Sequence, residues 1–137
     1  MPIPLADWLG DSASAPEIAV AVLTIWNVTD DSLTPVLGGR GLVALYRRTL
    51  HLTAQAYAAQ ALWPEAPAEI MAANTPTGLQ VLIARQNAES AAALGARFLQ
   101  TFHDLVAGLV GPSLTERLLQ KPWTHAPRDA PAQAPSP

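Results

Sequence analysis

Residues 33–62 read LTPVLGGRGLVALYRRTLHLTAQAYAAQAL, and this stretch carries the clearest helix signal in the chain. Pro35 suits the first turn of a helix and Gly38 suits the residue just after one, so a short helical turn is predicted over 33–37. A long helix is predicted from about Arg40, because apolar residues then recur every three or four positions. Two adjacent apolar rows make a broad stripe, which is typical of a helix that packs into a core. The rows are Val43, Tyr46, Leu50 and Tyr57, and Leu42, Leu45, Thr49, Leu52 and Ala56.

A second helix is predicted before this one. Ser14 and Glu17 have the spacing of a capping box, which indicates a helix over 15–28. The sequence TDDS at 29–32 is then expected to end that helix. After the central helix, prolines break up the chain and leave a short helix over 68–73.

A third long helix is predicted to begin at Thr75 and Pro76 and to run without a stop to Val110. It would be about 50 Å long at 1.5 Å per residue, so it should kink near Gly95 or project into a second subunit. Its apolar face is formed by Leu79, Ile83, Ser90, Leu94, Phe98, Phe102, Leu105 and Leu109.

The last predicted helix follows a clear stop signal. Gly111 and Pro112 end the preceding helix. Ser113 and Glu116 again have capping-box spacing, so a helix over 114–120 is expected to stop before Pro122. The pattern as a whole predicts an all-α antiparallel bundle of about four main helices joined by short connecting helices.

Length and composition bound the organisation of the chain. At 137 residues it has the size of one domain, predicted over 1–121, followed by a Pro- and Ala-rich tail over 122–137 that we expect to be disordered. The net charge of −3 argues against a nucleic-acid surface. There is no cysteine and no apolar run long enough to span a membrane, and cytoplasm is the expected location.

The polar face of the central helix contains the best candidates for a binding site. Arg47 and His51 lie four residues apart, with Arg48 and Arg40 on the same side. One interpretation is a histidine phosphotransfer domain, in which His51 is the nucleophile and the arginines hold phosphate oxygens. Another is a site for a phosphate-bearing ligand. A third is a solvated polar face. A fourth pairs the arginines with acids such as Asp30, Asp31 or Glu116, within the chain or between subunits.

A haem or metal sensor using His51 or His103 is a weaker alternative. Adjacent helical side chains point about 100° apart, so His103 and Asp104 are not expected to form a dyad. The sequence has no phosphate-loop, dinucleotide-binding, HExxH or GxSxG motif. We therefore predict no catalytic residue, no metal site and no cofactor.

Two stretches resemble a known group of proteins: LTPVLGGRGLVALYRRTLHL at 33–52 and LVAGLVGPSLTERLL at 105–119. Together they are similar to small uncharacterised bacterial helical proteins associated with response regulators and sensor kinases. The resemblance implies a regulatory or scaffold role and transfers no functional residue.

These observations predict a non-enzymatic interaction or regulatory module of bacterial signal transduction. A long third helix, small residues along it and a low content of charge favour a homodimer. The candidate interface residues are Leu94, Phe98, Phe102 and Leu105.

Overall fold

The computed structural model describes residues 13–60 and 66–124, and the regular structure of these residues is entirely helical. The all-α class predicted from the sequence is therefore confirmed. The helices are α1 (Ala15–Gln60), α2 (Ala66–Ala72), α3 (Pro76–Ala84), α4 (Ala88–Val110) and α5 (Pro112–Thr124). The long helix α1 packs against each of the other four. Most of the predicted tail lies outside the described residues.

The long helix α1 is a hairpin that turns at Gly38. This glycine has φ 79° and ψ 159°, whereas the residues on both sides are helical. Trp26 and Tyr46 are 20 residues apart, which would separate them by about 30 Å in a straight helix. Their ring centroids are 5.2 Å apart. The N-arm (15–37) and the C-arm (39–60) are therefore antiparallel neighbours, and the stop predicted at Gly38 is confirmed.

The predicted end of the first helix at 29–32 is wrong. The N-arm continues through these residues to the turn, so that Pro35 lies in its last turn rather than in a first turn. The hydroxyl of Thr29 donates to the carbonyl of Ile25 at 2.7 Å, which satisfies it inside the helix. Leu33 is completely buried. Burial of this apolar side chain stabilises the continued helix.

The capping box at the start of α1 is confirmed. The backbone N–H of Ser14 donates to a carboxylate oxygen of Glu17 at 2.8 Å, and the N–H of Glu17 donates to the Ser14 hydroxyl at 3.3 Å. The pKa of Glu17 is lowered, mainly because its carboxylate accepts the backbone N–H of Ser14. A hydrogen bond between the carboxylate and the Ser14 side chain lowers it further. The two reciprocal bonds satisfy N–H groups that a helix end otherwise leaves without partners.

The single helix predicted from 76 to 110 is wrong, because the chain breaks between α3 and α4. The helix start at Thr75 is confirmed, since its hydroxyl accepts the N–H of Gly78 at 3.1 Å. The Gln86 side chain then donates to the Leu82 carbonyl at 3.0 Å, close to the end of α3. Asn87 begins α4 by accepting the N–H of Ser90 at 2.8 Å. The side chains of Gln86 and Asn87 thus provide hydrogen bonds to backbone groups that a continuous helix would pair with other backbone groups.

The connection from α4 to α5 is only partly as predicted. Gly111 ends α4 with φ 90°, as the sequence indicated. However, α5 begins at Pro112, so Ser113 lies in its first turn and does not precede the helix. The hydroxyl of Thr115 donates to the Gly111 carbonyl at 2.7 Å. The helix also continues past Pro122 to Thr124, beyond the predicted end at 120.

Four aromatic rings join both arms of α1 to α4. The Trp26 ring lies edge-on to Tyr46, Phe98 and Phe102, with centroid distances of 5.2, 6.1 and 5.0 Å. Tyr46 also contacts Phe98 at 5.6 Å. The Tyr46 hydroxyl donates to the carbonyl of Ala73 at 3.1 Å, which ties the residue after α2 to the same cluster. Burial raises the pKa of Tyr46 well above its ordinary range.

Four threonines are buried in the same core, and each hydroxyl bonds to its own helix. Thr29, Thr49, Thr53 and Thr115 each donate to the carbonyl four residues earlier at 2.7 Å. Among the described residues, no buried side-chain nitrogen or oxygen lacks a partner. Val43 departs from the predicted core row, since 52% of its surface is exposed.

Candidate functional site

The outer side of the C-arm carries Arg40, Arg47, Arg48 and His51, and all four side chains are exposed as predicted. We call this set the basic face. Ala44 lies at its centre, because Arg40 is four residues before it and Arg47 and Arg48 are three and four residues after it. Residues at these spacings are neighbours on a helix surface. The three guanidinium groups therefore surround one small side chain.

The arginines of the basic face have no ion-pair partner among the described residues. The sequence left open a pairing with Asp30, Asp31 or Glu116, but no carboxylate of the described residues lies within 4.0 Å of these guanidinium nitrogens. Pairing with these acids within one chain is therefore wrong for the described residues, whereas pairing between subunits stays a prediction. Three positive charges remain exposed on one helix face of a chain with net charge −3.

His51 is engaged by its own helix. Its Nε2 lies 3.1 Å from Nε2 of Gln55, one turn further along the C-arm. Gln55 therefore occupies one ring nitrogen of the imidazole. A nucleophilic histidine attacks through a ring nitrogen, so Gln55 competes with a phosphoryl group for this one. The contact favours a binding role for the basic face over phosphotransfer.

An apolar groove of about 380 Å³ lies beside the basic face, between the C-arm and the end of α4. We call this feature the groove. One wall is formed by Gly41, Ala44, Leu45 and Arg48, and the other by Asp104, Leu105, Gly108 and Leu109. Arg48 thus belongs to both the groove and the basic face. Leu109 is 64% exposed, the highest value among the large apolar side chains described.

The small residues of the groove leave room for a close approach. A Cβ added at Gly108 would meet no atom within 4 Å, and a Cβ at Gly41 would meet only the Leu37 side chain at 3.4 Å. Ala44 lies one turn from Gly41 on the same wall. Small side chains on both walls allow another helix to pack closely against the groove.

The acidic side chain of the groove already has partners. Asp104 accepts the side-chain amide of Gln100 at 2.9 Å and lies 3.5 Å from Nδ1 of His103. The prediction that His103 and Asp104 stay apart is therefore wrong, although the contact is long. His103 is only 16% exposed, whereas Asp104 is 67% exposed.

The structure divides the four predicted interface residues. Leu94, Phe98 and Phe102 are fully buried inside a single chain, where they pack in the core rather than on a surface. Leu105 is partly buried and lies on the wall of the groove. One argument for the homodimer is also lost, because the single long helix is broken at 85–87. The dimer itself stays a prediction.

Sequence reasoning found the basic face but missed the groove. The sequence patterns assigned no role to Gly41, Ala44 or Gly108. The spacing did contain a signal for this wall. Gly41 lies four residues before Leu45 and Ala44 four residues before Arg48, so each pair is adjacent on the helix surface. What the sequence could not supply was the pairing of this wall with residues some 60 positions later.

Metal ligands and membrane-spanning helices can be judged for residues 13–60 and 66–124. Within them, no three His, Asp or Glu side chains are grouped so that they could hold a metal ion. None of the helices there is both long and apolar enough to cross a membrane.

The basic face and the groove place exposed guanidinium groups beside an apolar concave surface. Unpaired guanidinium groups recognise carboxylate or phosphate oxygens, and the groove accepts apolar side chains. The resemblance of 33–52 and 105–119 to signalling-associated bacterial proteins stays a hypothesis. Comparisons with protein-family models, with curated proteins and with solved structures found no match for this chain.

Proposed function

We propose that this chain is a helical interaction module that binds a helix of a partner protein in the groove. The observation that carries the proposal is the groove itself, with an apolar lining, small residues on both walls and the most exposed leucine at its edge. The wall from Gly41 to Arg48 covers two helical turns, about 10 Å. This length suits the apolar stripe of an amphipathic helix, which presents anchors at i, i+3, i+4 and i+7.

Exposure of the groove supports a partner that covers it. Leu109 and Val43 are more than half exposed on either side of the basic face, at 64% and 52%. Single exposed apolar side chains are ordinary, but a lined concave surface next to unpaired charge is typical of an interaction site. The resemblance of 33–52 and 105–119 implies a role in bacterial signal transduction. The first stretch contains one wall of the groove, and the second contains Leu105, Gly108 and Leu109 of the other. We retain the role in signal transduction as part of the proposal.

Phosphotransfer through His51 and haem or metal binding through His51 or His103 are the competing functions. For phosphotransfer through Nε2, the Gln55 contact at 3.1 Å would have to give way to the phosphoryl group. For a metal, a group of three ligands would have to be completed from outside the described residues. The groove needs no such rearrangement to accept a helix, and this difference favours the interaction module.

The test uses a synthetic amphipathic peptide of about 16 residues, with leucines at helical spacing and glutamines elsewhere. Isotope-labelled protein is titrated with this peptide, and backbone amide shifts are followed by nuclear magnetic resonance. We expect the shifts to concentrate on the two walls of the groove. The mass of the protein is measured by light scattering on the same samples.

A filled groove provides the matched variant. Gly108→Leu places a large side chain in open space, so it should fold normally while occupying the site. Excluding one partner leucine should weaken binding by about tenfold to a hundredfold. Ala93→Leu is the control, because Ala93 is exposed on the same helix about 22 Å away.

The outcomes separate the possible occupants. Shifts outside the groove, or equal binding by the Gly108→Leu variant, would refute the proposal. A dimer that Gly108→Leu converts to a monomer would replace the partner helix with a second copy of this chain.

A further inference from the structure

The two arms of the α1 hairpin carry opposite charges. Acidic residues of the N-arm are Glu17, Asp30 and Asp31, and this arm has no Lys or Arg. The C-arm has three arginines and no Asp or Glu. Antiparallel arms could pair these charges, yet none of the described arginines of the C-arm lies within 4.0 Å of a described carboxylate. None of these arginines is therefore ion-paired with a described acid of its own hairpin.

The position of Arg48 connects this charge to the groove. Its side chain lines the groove. Arg40 and Arg47 each lie about one turn from Ala44, on either side of it along the helix. A helix that enters the groove thus has one flank along all three guanidinium groups. The opposite wall has Asp104, which already accepts the Gln100 amide.

We infer that the partner helix is acidic and places Asp or Glu side chains against the basic face while its apolar side enters the groove. The inference rests on the proposed function and specifies the chemistry of the partner. Guanidinium groups bind carboxylates through two parallel N–H···O bonds, which gives both affinity and orientation. Asp104 disfavours acids on the opposite flank, so the charge of the partner is confined to the side facing the C-arm.

A phosphate-bearing small molecule is the other anion that these arginines could take. The groove favours the helix over this small anion. A free anion would leave the apolar walls of the groove exposed, whereas an acidic amphipathic helix would cover the walls and also contact the arginines. The shared guanidinium chemistry makes inorganic phosphate a necessary competitor in the test.

Three peptides with the same leucine stripe provide the test: one flanked by glutamates, one by glutamines and one by lysines. Affinities are measured by fluorescence anisotropy at low and at high salt with the full chain. We expect the glutamate peptide to bind on the order of tenfold more tightly than the glutamine peptide at low salt. The lysine peptide should be the weakest, and high salt should reduce these differences.

Charge reversal supplies the matched variants. Arg47→Glu should remove the preference for glutamate, whereas Arg85→Glu should keep it. The two changes alter net charge equally, and both arginines are exposed. Arg85 precedes the 23-residue helix α4, which places it about 30 Å from the groove end of that helix.

The outcomes distinguish this inference from the proposed function. Equal affinities of the three peptides, with shifts still in the groove, would overturn the inference and leave the interaction module intact. Absence of binding by all three would overturn both. Inorganic phosphate that binds the basic face without any peptide preference would assign the arginines to a small anion and would also overturn the inference.

Discussion

Replacing Gly38 with alanine tests the hairpin directly. The backbone at this residue has φ 79° and ψ 159°, a region that side chains other than glycine rarely enter. Holding alanine there should cost roughly 1–3 kcal/mol. Alanine also lowers the conformational entropy of the unfolded chain, which stabilises the folded state by about 0.4–1 kcal/mol and offsets part of this cost. No atom lies within 4 Å of the added Cβ, so the effect comes from the backbone alone. We expect a net loss of about 1–2 kcal/mol in the free energy of unfolding.

The neighbouring glycine is the control for Gly38→Ala. Gly39 lies in the C-arm helix without a positive φ, and an added Cβ there also meets no atom within 4 Å. Gly39→Ala should therefore stabilise the fold by about 0.5–1 kcal/mol. Urea unfolding followed by far-ultraviolet circular dichroism measures both variants, and their m-values should match the parent. A neutral or stabilising Gly38→Ala would refute the turn.

Three further predictions concern packing and protonation. Phe98 has two ring neighbours and Phe102 has one, so Phe98→Leu should cost about 0.5–1.5 kcal/mol more than Phe102→Leu in urea unfolding; equal losses would contradict the ring geometry. Tyr46→Phe removes the hydrogen bond to the Ala73 carbonyl and should cost about 1–3 kcal/mol in the same assay. It should also reduce alkaline destabilisation, because a tyrosine pKa raised by folding makes stability fall as the pH rises above the unfolded pKa. The folded pKa of Glu17 is lowered, so its contribution is present above its ordinary pKa and is lost as the pH falls through the lowered value. Glu17→Gln should flatten that acid limb, and an unchanged limb would contradict the capping assignment.

Local signals in the sequence predicted much of the fold. The helix starts at Ser14 and Thr75 and the stops at Gly38 and Gly111 each depend on one or two residues acting on adjacent backbone, and all four are present. The errors arose where the burial or hydrogen bonding of a side chain overrode the structure that the local sequence pattern favours. The residues 29–32 resemble a helix end, but burial of Leu33 carries the helix onward.

The break before α4 shows the reverse competition. Asn87 was not distinguished from an ordinary helical residue, because no glycine or proline marks the position. Its side-chain oxygen nevertheless accepts the Ser90 N–H at 2.8 Å and begins a new helix. The missed break produced an overlong helix and, with it, one argument for a dimer.

The candidate site was predictable only in part. Exposure of Arg47 and His51 follows from helical spacing, since both lie opposite the apolar rows. The groove needs two helices whose contact no local pattern specifies, so Gly108 could not be connected with Gly41 from the sequence. That the basic face has no ion pair with a described carboxylate is likewise a property of the packed chain.

The one-residue turn at Gly38 also bears on how the chain reaches its folded state. Tyr46 follows Trp26 by 20 residues, most of them helical, whereas Phe98 follows Tyr46 by 52 residues. Because the entropy lost in closing a loop grows with its length, the contact within the hairpin costs less to form than the docking of α4. We expect the hairpin to assemble early through contacts close in sequence, as in fast-folding helical proteins. The arrival of α4 then completes the ring cluster and, in the same step, builds the second wall of the groove.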